Sequence, residues 1–64
     1  MADTVTQQEY SSMVLALRAR GFSWLQARSW MNAMAQSLGY ADVMQIEVDE
    51  MPAIMDAIAE ANPP

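Results

Sequence analysis

Asp56 and Glu60 stand four residues apart near one end of this 64-residue chain, the spacing that places two carboxylates on the same face of a helix. Such a pair could pass a proton as acid and base, or begin a cation site. A cation wants more converging oxygens than that, and Asp42, Glu47, Asp49 and Glu50 do not fall at the intervals of a calcium loop. The chain has no histidine, cysteine or lysine, so its acid–base groups are carboxylates and tyrosines and the usual zinc ligands are missing. The expectation is a protein that is not an enzyme and takes no cofactor and no metal.

The formal charge of −5 is unevenly arranged. All three arginines, Arg18, Arg20 and Arg28, fall within residues 18–28, whereas six acids and no base occupy residues 42–60. Phosphate recognition needs several cations close together, so the acidic half argues against general binding to nucleic acid or to an anionic membrane. Those acids read first as a solvated face and second as a surface offered to a basic partner. One nucleic-acid alternative remains, with Arg18, Arg20 and Arg28 on phosphates and an exposed tryptophan stacked on a base.

The stretch "GFSWLQARSW", residues 21–30, carries both tryptophans. Trp, Met and Arg are enriched where proteins meet, although helix-periodic aromatics also serve as core. Seven methionines point the same way, since methionine both fills gaps and lines adaptable binding surfaces. Three short amphipathic helices cannot conceal a 53% apolar composition, so part of it should face another chain. The candidate partner-binding residues are Arg18, Arg20, Leu25, Arg28, Trp30, Met34, Met51 and Met55.

The elements that must position these residues announce themselves by their ends. Thr6 followed by Glu9 is a capping box, and Val5 with Tyr10 forms a hydrophobic staple across it. Tyr10, Met13, Val14 and Leu17 then repeat at helical spacing. Gly21 suits a left-handed ending, with Phe22 folding back onto Leu17. Ser23 and Gln26 form a second capping box immediately afterwards, so two helices are joined by a sharp turn. Trp24, Ala27, Trp30, Met31, Met34, Ala35 and Leu38 share one arc of the second helix, with Arg28, Ser29, Asn32 and Gln36 opposite. Leu25 stands as an apolar exception among those polar positions. Gly39 closes the helix and Tyr40 folds back over it.

Residues 43–48 are ambiguous. Asp42 could cap one helical turn, yet Met44, Ile46 and Val48 alternate with Gln45 and Glu47 as a strand does. A lone strand would have no partner within the chain, so the favoured reading is a short turn with an extended connector. An edge strand pairing with another chain is the alternative. Asp49 or Glu50 opens a third helix that tolerates Pro52 in its first turn. Its stripe is Met51, Ile54, Met55 and Ile58, and Asn62-Pro63-Pro64 stops it.

Residues 38–58 resemble a pattern in the C-terminal interaction domain of phage antirepressor-type proteins. There a helix-ending glycine and its aromatic or aliphatic follower precede a short connector, an isoleucine and an acidic amphipathic helix. Gly39, Tyr40, Ile46, Glu50, Ile54 and Ile58 carry the match. Val48 and Asp49 depart from it, standing where that pattern commonly has proline, and the DNA-binding domain that precedes it in those proteins has no counterpart here. The resemblance implies a phage or prophage origin and a role in protein interaction.

The expected fold is all-α: a single helical domain over 1–64, with helices at about 7–20, 24–38 and 50–61, a helical hairpin with a third amphipathic helix laid across it. Helices one and two should pack through Met13, Leu17, Trp24, Met31 and Met34, with Ile54 and Ile58 covering them. No apolar run approaches the length of a membrane span and no basic-then-apolar leader opens the sequence, so a cytoplasmic location is expected. The expected function is a small non-enzymatic protein-binding module: an inhibitor, adaptor or assembly factor acting on another protein. With neither disulfide nor zinc to staple so small a domain, a homodimer is the expected supplement.

Overall fold

Two reciprocal caps and two glycines define the first half of the molecule, for which the computed structural model describes residues 3–64. The first helix, α1 (Gln7–Ala19), begins where the Thr6 hydroxyl accepts the Glu9 backbone N–H at 3.1 Å and the Glu9 carboxylate accepts the Thr6 N–H at 2.8 Å. The second, α2 (Trp24–Ser37), repeats the arrangement with Ser23 and Gln26, at 3.1 and 2.9 Å. Each box satisfies two backbone donors that a helix start would otherwise leave unpaired.

The two helix ends are also twins. Beyond α1, Phe22 N–H donates to the Leu17 carbonyl and Gly21 N–H to the Arg18 carbonyl; beyond α2, Tyr40 donates to Ala35 and Gly39 to Gln36. This crossed pair of bonds is the Schellman ending, and it requires a left-handed residue between them. Gly21 and Gly39 provide it, with φ of 108° and 90°. Phe22 is thereby turned inward and buried.

The third helix, α3 (Met51–Glu60), has Pro52 in its first turn, where no intrahelical donor is lost. Between α2 and α3 lie two single turns of 3-10 helix, Val43–Gln45 and Val48–Glu50. Asp42 occupies the cap position of the first without a side-chain hydrogen bond, and the Gln45 side chain instead accepts the Ala41 N–H at 3.2 Å.

Only Ile46 and Glu47 between those turns are extended, and they do find a partner inside the chain. Val5 N–H donates to the Ile46 carbonyl and Val48 N–H to the Asp3 carbonyl, both at 2.8 Å, which brackets an antiparallel bridge between Thr4 and Glu47. The expectation that a strand here would lack an intrachain partner is therefore corrected. Residues ahead of α1 form an arm that supplies it.

The molecule is all-α apart from that bridge. Its core joins Val5 of the arm, Met13, Val14 and Leu17 of α1, Ala27, Met31 and Ala35 of α2, Val43 and Ile46 of the connector, and Ile54 and Ile58 of α3. On α2 the buried positions recur every four residues, so one narrow stripe faces inward. Met13 and Met31 are fully enclosed, as expected, and Met34 is half-buried. Trp24 departs from expectation: it is 54% exposed. The reason is position, because Trp24 is the first residue of α2 and overhangs the corner, whereas the buried stripe starts one turn later at Ala27. No helix among the described residues is long and apolar enough to cross a membrane.

Candidate functional site

The outward side of α2 carries two depressions, which take in Arg28, Leu25 and Trp30 of the expected binding residues. The first, about 410 Å³, lies between the start of α1, the polar face of α2 and the first 3-10 turn, and it is lined by Tyr10, Trp24, Arg28, Asn32 and Asp42 among others. The second is a groove of about 460 Å³ formed by Phe22, Leu25, Gln26, Ser29 and Trp30 of the corner and α2, closed on its far side by Asn62 and Pro64.

Arg18, in the last turn of α1, lies over the Trp24 ring with its guanidinium carbon 4.7 Å from the ring centroid. The contact spans the α1–α2 corner, combining a cation with an aromatic face. Arg20 has a different task. Its Nε and Nη2 donate to the Ala61 carbonyl at 3.1 and 3.0 Å, so the fork of the guanidinium holds the residue that caps α3. Arg28 lines the first depression together with Trp24 and Asp42. The three arginines thus serve three separate environments.

Leu25 is 75% exposed, the most exposed large apolar residue described, and lies with half-buried Trp30 along the second groove, whose side chains are uncharged. Met34 and Met51 are half-buried and pack against the core, while Met55 is 40% exposed on α3. The structure therefore brings Leu25 and Trp30 together and leaves Met34, Met51 and Met55 outside the lining of either depression. Phe22, Asn62 and Pro64 were missed from the sequence, because the fold alone unites residues forty apart. Leu15, 56% exposed on α1, was missed as well. Its signal was the one that singled out Leu25, an apolar residue off the buried stripe.

Tyr40 stacks chemistry of another kind at the opposite end of α2. Its hydroxyl donates to the Glu50 carboxylate at 3.2 Å, tying the end of α2 to the residue that caps α3. Burial raises the hydroxyl's pKa above 10.0, and the Glu50 hydrogen bond and charge add to this, against an opposing backbone hydrogen bond at Glu47. Among the described residues, no cluster of three or more acidic side chains converges as a metal site would require. No family model, no curated protein and no solved structure matches this chain.

Proposed function

We propose that this protein is a small non-enzymatic binding module that works by occupying a site on another protein, as an inhibitor, adaptor or assembly factor of a phage or prophage. The observation that carries the reading is the groove beside Leu25. A leucine 75% exposed next to a half-buried tryptophan, with no charged side chain in the lining, presents apolar area that water solvates poorly and a partner can cover. The phage setting rests on the resemblance of residues 38–58 alone.

The nucleic-acid alternative draws less support. Arg18 is engaged by Trp24 and Arg20 by the Ala61 carbonyl, so neither is held ready beside Arg28 for a run of phosphates. Were it correct, affinity for DNA or RNA would fall with salt at a log–log slope of roughly −2 to −3 for three contacts.

Crosslinking capture from bacterial lysate tests the docking reading, comparing the parent chain with Leu25→Asp and Trp30→Ala. A partner held by the parent and lost from Leu25→Asp is expected. Capture unaffected by both substitutions would remove the groove from consideration. Light scattering over a dilution series separates a homodimer, another occupant of the same surface, from a monomer near 7.1 kDa.

A further inference from the structure

We propose that the first depression, between α1, α2 and the connector, binds a small zwitterion with an apolar ring, of the α-amino acid or dipeptide type. This depression and the groove beside Leu25 share no lining residue, so the two sites stand or fall separately.

Helical spacing builds the walls. Trp24, Arg28 and Asn32 recur every four residues on α2 and so line the depression at successive turns, with Tyr10 and Ser11 lining it from α1. Val14 and Val43, both buried, give it an apolar base. The Trp24 indole is 54% exposed, yet it is held from α1 by the Arg18 guanidinium lying over its ring. An apolar ring thus meets an aromatic wall that is already positioned. At about 410 Å³ the space is within the range of small-molecule sites.

The polar groups around that wall are uncommitted. The side chains of Tyr10, Ser11, Arg28, Asn32 and Asp42 make no hydrogen bond among the described residues, although Tyr10 and Ser11 are half-buried. Arg18 is engaged by Trp24 and Arg20 by the Ala61 carbonyl, which leaves Arg28 as the arginine without such a contact. Arg28 and Asp42 line one depression without forming an ion pair. A simple anion would gain from Arg28 and lose to Asp42, and a simple cation would do the reverse. A molecule carrying both charges gains from each: the guanidinium takes its carboxylate through parallel donors, and the Asp42 carboxylate accepts its ammonium. The Asn32 amide, one turn beyond Arg28, adds a donor and an acceptor on the same wall.

A titration of the isotope-labelled full chain at neutral pH, followed by its amide and indole N–H resonances, tests the site. The probes are L-phenylalanine and L-phenylalanylglycine, whose charges differ in separation by one peptide unit. The controls are phenylpropanoate, which lacks the ammonium, and phenylethylamine, which lacks the carboxylate. Expected is a saturable shift of the Trp24 indole N–H with at least one zwitterion, in the millimolar range and tighter than either control by about tenfold or more. In Arg28→Gln that zwitterion should bind no better than phenylethylamine, and in Asp42→Asn no better than phenylpropanoate. Both residues are exposed, so both variants should keep the helical circular dichroism of the parent. No saturable shift with either zwitterion, equal responses to zwitterions and controls, shifts confined to the Trp30 indole, or full binding in either variant overturns the proposal. None of these outcomes alters partner capture through Leu25, which Leu25→Asp tests by itself.

Discussion

Arg20 and Ala61 are 41 residues apart in sequence and joined by two hydrogen bonds from one guanidinium to one carbonyl. The carbonyl at a helix end carries partial negative charge and lacks an intrahelical partner, so a cation with two parallel donors suits it well. Arg20→Ala should cost about 1 kcal/mol in chemical denaturation, because the pair is solvent-exposed. Arg20→Lys should recover only part of that, since an ammonium lacks the fork. Full recovery by lysine would show that charge alone matters.

The two Schellman glycines give a controlled comparison. Gly21→Ala and Gly39→Ala both force an L side chain to positive φ, at about 1 kcal/mol each. At Gly39 the new methyl meets nothing within 4 Å, whereas at Gly21 it presses on Pro63 at 3.3 Å. Gly21→Ala should therefore be the more destabilising in thermal melts. Equal losses would mean that Pro63 yields without cost.

Met31 and Leu25 lie six residues apart on α2 with opposite burdens, Met31 being fully buried and Leu25 75% exposed. Met31→Ala should destabilise by about 2–5 kcal/mol through lost burial and a cavity. Leu25→Ala should change stability by no more than about 0.5 kcal/mol. Urea unfolding of the two variants checks the pair, and a large loss at Leu25 would contradict its place at the surface.

Tyr40 links stability to alkaline pH. A raised folded-state pKa means that the stabilising contribution is complete below the ordinary tyrosine value of 10.0 and is lost as pH climbs through the folded value. The parent chain should therefore lose stability above about pH 10, and Tyr40→Phe should show a flatter alkaline limb. Identical limbs in urea unfolding at rising pH would break the assignment.

Hydrogen exchange should report the arm. Val5 and Val48 amides are bonded across the bridge, whereas the Thr4 and Glu47 amides take no part in its pairing. Protection at Val5 and Val48 should rise and fall together. The Thr4 amide, which takes no part in that pairing, should exchange quickly.

Helix starts and stops were legible because each is written in neighbouring residues: Thr6 with Glu9, Ser23 with Gln26, Gly21 with Phe22, Gly39 with Tyr40. Burial of Met13, Leu17, Met31, Ile54 and Ile58 followed from period alone. Trp24 did not, because a helical wheel treats an end residue like a middle one and cannot show that the packed neighbour has already ended. The arm pairing left no trace, since two extended residues have no periodicity to detect. Leu25 could be singled out as apolar among polar positions, but its groove needed Pro64, which the sequence presents only as a helix stop.

The arm has a consequence for the order in which the chain acquires structure. The corner between α1 and α2 closes over a handful of residues, at small entropic cost, and every group it needs is present once residue 40 exists. Asp3 and Val5 must wait for residues 46–48, more than forty positions later. The local contacts of the hairpin therefore close at lower entropic cost than those of the arm, and until the arm closes the flank of Val5 and Ile46 stays open to solvent. Among the described residues, Asp3 and Val5 are among the last to find their partners.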